Sequence, residues 1–164
     1  MARGSVDDVG SETIMSDTQD SHRVLRRIGA VLAGVVAVVA LSLGTDVALH
    51  AAGIFPPWGQ PMSDGLFVLA TAYRIVYAVA GGYIAAQLAP DRPMAHALVL
   101  GAFGVALSTI GAIATWNEGP EFGPKWYSLA LVVTALPCAW AGGKLFGGRP
   151  HVPPPLGMYS SSDE

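Results

Sequence analysis

Cysteine is almost missing from this chain: Cys138 is the only one in 164 residues. A single thiol excludes an internal disulfide, a C-x-x-C redox pair and a cysteine-built metal cluster, and its place in an apolar run marks it as a buried, inert side chain. Charge is scarce as well, at 13% of residues, roughly half of what a soluble domain carries. Between Ile28 and Gly143 the only charged residues are Asp46, Asp64, Arg74, Asp91, Arg92, Glu118, Glu121 and Lys125. All except Asp46 and Arg74 fall in short breaks between apolar runs. No basic patch with interleaved aromatics occurs, which excludes a nucleic-acid partner. H-E-x-x-H, G-x-S-x-G and phosphate-cradling glycine loops are absent too. Hydrolase, protease and nucleotide chemistry therefore have no foothold, and no cofactor is expected.

What the chain does have is apolar length. Hydrophobic residues make up 52% of it and the mean hydropathy is +0.46, so the solvent it is built for is lipid. Four apolar runs, at about 28–52, 66–88, 94–116 and 126–146, each approach or exceed the roughly 20 residues a helix needs to cross a bilayer. The runs are long and unalternating, which predicts helices rather than barrel strands, and backbone groups in lipid must be satisfied within one or the other. The first run is too long for the core of a cleaved leader, and no small-x-small pattern follows it near residues 48–52; it is expected to be a span.

The expected architecture is an all-α membrane protein, a four-helix antiparallel transmembrane bundle over 23–146. Disordered tails are expected on either side: an acidic one over 1–22, with Asp7, Asp8, Glu12, Asp17 and Asp20, and a Pro/Gly/Ser-rich one over 147–164. Met15 would also serve as a start, and the Pro150-to-Pro153 spacing reads as linker rather than docking motif. Ser63 and Asp64 are expected to cap the second helix, and Asp91 the third with Pro93 in its first turn. Small residues spaced for close approach, Ala30/Gly34, Ala78/Gly82, Gly104/Ser108 and Ala139/Gly143, point to helix packing. Pro137 predicts a kink near Thr134.

Lys and Arg set the orientation. Arg3, Arg23, Arg26, Arg27, Arg92, Lys144 and Arg149 would share one side and Lys125 the other, which predicts cytoplasmic termini. Trp58, Trp116, Trp126 and Tyr127 would then form an aromatic girdle at the outer face.

Arg74 is the most informative residue, because a guanidinium inside a span must reach water, a partner or a phosphate. At about 1.5 Å per residue it lies about 12 Å beneath Leu66, while Asp46 lies about 27 Å up the first helix from Ile28. An outward-reaching arginine could meet that carboxylate. Ser42, Asp46 and His50 share one face of the first helix, Thr71, Arg74 and Tyr77 one face of the second, and Ser108 and Thr115 add hydroxyls from the third. Together they predict an outward-opening polar cluster. The favoured reading is a structural ion pair; the sharper one is an anion or lipid-headgroup pocket of Arg74, Asp46, His50, Tyr77 and Ser108, with Asp46 or His50 handling a proton. His50 and His96 are expected near opposite faces, so they cannot share a haem or metal, and Glu118 and Glu121 read as a solvated connection.

Over residues 45–93 the chain contains Thr45-Asp46-x3-His50, the loop Phe55-Pro56-Pro57-Trp58-Gly59-Gln60-Pro61, Tyr73-Arg74 and Ala89-Pro90-Asp91-Arg92-Pro93. In these it resembles small uncharacterised four-helix bacterial integral membrane proteins, across residues 24–144. The resemblance implies bacterial origin and four helices; that group carries no assigned reaction and transfers no site. Four-helix multidrug transporters differ in being shorter and in placing an acidic residue deep in the first helix. The expected function is a non-enzymatic membrane component, partnered by the bilayer and by a second copy or another membrane protein. The alternatives are a carrier or small-anion or headgroup binder using Arg74, and an enzyme acting on a lipid through Asp46 and His50.

Overall fold

The computed structural model describes the backbone of residues 6–148 and the side chains of residues 22–148. Among these the elements are α1 (Val6–Ala51), α2 (Asp64–Leu88), α3 (Pro93–Thr115), one 3-10 turn (Pro120–Phe122) and α4 (Lys125–Gly147). Each α-helix is long and apolar enough to cross a bilayer, the first over His22–Ala51. The last three lie within two residues of the apolar runs that predict them. The N-terminus departs from expectation: where composition predicts a disordered tail, the backbone is helical from Val6. Once the apolar part of α1 exists, the costly nucleation step is done and each further residue adds a backbone bond. Residues 1–5, and the tail expected beyond Gly148, lie outside the described residues.

The caps also differ from the sequence reading. Ser63 occupies the N-cap of α2 but its side chain makes no capping bond. The N-cap of α3 is Arg92, in the left-handed region at φ 45°, with Pro93 following it. Asp91 is drawn elsewhere: its two oxygens accept from Nε and Nη2 of Arg27 at 3.1 and 2.6 Å. This fork ties the start of the apolar part of α1 to the α2–α3 turn. At the same end His96 Nδ1 donates to the Arg92 carbonyl at 3.3 Å. α4 continues through Pro137.

α2 is the hub, packing on α1, α3 and α4, while α3 and α4 also pack on each other and α1 leans mainly on α2. These interfaces are built from what side chains leave out. The buried apolar residues include Ala30, Ala70, Ala85, Ala86, Ala97, Ala112 and Ala139. A methyl group on Gly142 would strike the backbone of Val79, Gly82 and Tyr83, and one on Gly82 would strike that of Ala139. Gly34 meets the Gly81 carbonyl, and Gly143 meets Ala97 and Met94. Close backbone approach of this kind is how helices gain dispersion contacts when no water drives them together. Large apolar side chains point the other way: Val36 is 63% exposed, Ile113 73% and Val133 69%.

Two outcomes follow. Gly142→Val is expected to destabilise the purified protein by about 1–3 kcal/mol or more, the cost of overpacking. Gly44→Ala, where a methyl meets nothing within 4 Å, leaves the melting midpoint unchanged or raised; thermal unfolding in detergent measures both. The second concerns acid. The Arg27 fork holds the Asp91 carboxyl below its ordinary value of 3.8, so its contribution is complete above that value and disappears as pH falls through the lower folded one. The drop in melting midpoint below about pH 4 is expected to be smaller in Asp91→Asn than in the parent.

Candidate functional site

At the other end of the bundle the charged residues inside the helices meet. Arg74 on α2 donates from Nη2 to Asp46 Oδ2 on α1 at 2.7 Å. The Tyr73 hydroxyl donates to the other carboxylate oxygen, Oδ1, and, with its proton committed there, its oxygen accepts from Arg74 Nη1 at 3.1 Å. The three side chains close a ring of charge-assisted bonds. Aromatic faces support it, the guanidinium carbon lying 5.2 Å from the Tyr73 centroid and 5.9 Å from that of Tyr127 on α4. Asp46 is buried, at 8% exposure, and is the one buried charged residue among those described. One turn deeper, Thr45 and Tyr77 join α1 to α2 through their hydroxyls at 2.8 Å.

A cap lies over this ring, and Gly53 makes it. At φ +69° it takes the left-handed turn that ends a helix. Its N–H donates to the His50 carbonyl at 3.1 Å while that of Ile54 donates to the Leu49 carbonyl at 3.0 Å, the paired bonds of a Schellman motif. The chain is thereby folded back so that Phe55 is buried at 3% exposure and meets His50 edge-on at 5.3 Å. Trp58 then stacks flat on the same imidazole, with centroids 3.7 Å apart and planes 6° from parallel. His50 Nδ1 donates to the main-chain carbonyl of Asp46 at 2.8 Å. Since a carbonyl only accepts, the neutral ring carries its proton on Nδ1, and Nε2 is left as an acceptor.

Between ring and cap is a cavity of about 170 Å³. Asp46 and Arg74 form its floor, His50, Phe55 and Trp58 part of its wall, and Glu121 and Tyr127 reach it from the other side. Of the residues predicted for the site, Asp46 and Arg74 are bonded and His50 shares their cavity. Tyr77 sits below with Thr45, and neither it nor Ser108 lines the space. Thr71 and Thr115 turn inward on their own helices, each donating to the carbonyl four residues earlier. His50 and Asp46 form no carboxylate–imidazole dyad, because the imidazole bonds the main chain. His50 and His96 stand at opposite ends of the bundle, and no group of three potential metal ligands occurs among the described residues.

Phe55, Trp58, Tyr73, Tyr127 and Glu121 are members that sequence reasoning did not place in the site. Tyr73 is next to Arg74 and so about 100° around the helix, which a face-sharing rule rejects; both side chains are long enough to converge on Asp46 from either flank. Glu121 is in a connection, where spacing carries no register. No protein-family model, curated protein or solved structure matches the chain.

Gly53→Ala is expected to cost about 1 kcal/mol, the penalty of left-handed backbone for a residue with a Cβ, and to loosen the cap. In a variant retaining Trp58 as the only tryptophan, acrylamide quenching of its fluorescence should rise.

Proposed function

We propose that the chain is a multi-pass integral membrane protein of the bacterial inner membrane, with four antiparallel spans and both termini cytoplasmic. In this reading it is a non-enzymatic membrane component, and Asp46, Tyr73 and Arg74 are the lock that fixes α1 against the other helices. The observation that carries it is the closed ring: Arg74 is neutralised by Asp46 at 2.7 Å and braced by two tyrosines. An arginine kept for an incoming anion would present its charge unspent; here the charge is already matched within the chain.

The membrane setting is supported by the inverted packing, small residues inside and large apolar ones outside. Antiparallel order is supported by the contacts of α1 with α2 and the turn that follows it, which run from Arg27–Asp91 through Gly34–Gly81 to Asp46–Arg74. Arg27, Arg92 and Lys144 lie toward one end and Lys125 toward the other, the asymmetry that favours cytoplasmic termini. Val36 and Val47, at 63% and 58% exposure, leave α1 a broad face for lipid, a second copy or another membrane protein.

A lock and a ligand site respond differently to substitution. Removing one partner leaves an uncompensated charge at depth, so Asp46→Asn and Arg74→Gln are each expected to cost about 3 kcal/mol. Replacing both at once with Leu and Met should cost less than either single change. Thermal unfolding of the three variants in detergent measures this. Single variants as stable as the parent would sink the lock. The orientation is checked by labelling cysteines placed singly at Trp58 and Gly147 in a Cys138→Ala background, which should react from opposite sides.

A further inference from the structure

We propose that the cavity between the Asp46 ring and the Trp58 cap is a binding site for a small alkylammonium group. The proposal goes beyond the lock. It rests on what is left over once the ring has closed.

Charge comes first. The cavity is lined by Asp46, Arg74 and Glu121, and the first two cancel at 2.7 Å. With Asp46 matched to Arg74, Glu121 is the remaining acidic side chain on the lining, so the space favours a monovalent cation over an anion. Hydrogen-bonding capacity points the same way. His50 Nδ1 is committed to the Asp46 carbonyl, which makes Nε2 of the neutral imidazole an acceptor, and the Glu121 carboxylate can only accept. Both can take a donor, which an ammonium N–H supplies. Apart from the Gln60 amide, whose oxygen is a further acceptor, the remaining wall is largely aromatic and apolar, with Phe55, Trp58 and Tyr127, suited to an alkyl portion and to a cation near ring edges and faces. The volume of about 170 Å³ admits a group of a few heavy atoms. Such an ammonium could arrive as a free amine or as the headgroup of an aminophospholipid. The chemistry recognised is the same.

The test uses the purified full chain, with ethylammonium chloride as cationic probe and sodium acetate as anionic probe, by isothermal titration calorimetry in detergent. Saturable binding is expected for ethylammonium and none for acetate. Glu121→Gln should weaken ethylammonium at least tenfold, and Trp58→Ala at least threefold. Glu121 is exposed and outside the ring, so its variant should keep the parental melting midpoint, which is measured alongside. Saturable acetate binding, no ethylammonium binding, or an unchanged ethylammonium affinity in folded Glu121→Gln overturns the proposal. The source is read in nanodiscs of phosphatidylglycerol with and without phosphatidylethanolamine. If the aminophospholipid raises the apparent Kd for ethylammonium, a lipid headgroup occupies the site; if not, a free amine does. The lock is tested by stability and this site by titration, so either can fail alone.

Discussion

An ionised side chain inside an apolar helix is the constraint from which the rest of the arrangement follows. Arg74 cannot be left alone at its depth, because the desolvation cost of an isolated guanidinium is not repaid by apolar neighbours. The pairing with Asp46 is therefore also a statement of register: α1 and α2 can slide or rotate against each other only by breaking it. Tyr73 makes the constraint two-sided, since it occupies the carboxylate oxygen that Arg74 does not. At the opposite end the Arg27–Asp91 fork ties α1 to the α2–α3 turn in a water-exposed setting, where an ion pair is individually weak. A strong buried fastening and a weak exposed one thus hold the most peripheral helix at both ends.

Between those fastenings the helices are held by shape. α2, α3 and α4 meet where glycine and alanine let backbones touch, as at Gly82, Gly101 and Gly142. The rigidity of this three-helix unit allows Tyr127 of α4 to stand at a defined distance from Arg74 of α2. The cap depends instead on α1: Gly53 reverses the chain, Phe55 anchors it, and Trp58 finds the face of His50. The cavity is accordingly a junction between a tightly packed unit and the end of a helix attached at few points.

Much of this was legible in the sequence because lipid imposes simple rules. Length and hydropathy located α2, α3 and α4 to within two residues, and the depth estimates for Arg74 and Asp46 anticipated their meeting. The spacing of small residues anticipated Gly34, Gly82, Ala139 and Gly143 at crossings. What escaped was set by tertiary geometry. Asp91 looks like a helix cap in its local setting and is claimed by an arginine 64 residues away. Thr71 and Thr115 look like members of a polar cluster and satisfy themselves on their own carbonyls. Tyr73 was hidden by its neighbour, and Glu121 by the lack of any periodicity in a loop. The helical reach of α1 to Val6 was missed because composition speaks to whether a segment can fold alone, not to whether it can extend a helix already formed.

The glycine-lined crossings carry a consequence for how this molecule tolerates change. In a water-soluble domain the interior is damaged by losing methylenes and the surface accepts almost anything. Here the interior has few methylenes to lose, and the large side chains that could be trimmed face outward, as Ile113 and Val133 do. Volume added within is the injury to which the bundle is most exposed, while volume removed without alters only its fit to the surrounding acyl chains. Its sequence is therefore free to drift among bulky apolar residues on the outside and bound to stay small along a few inner seams.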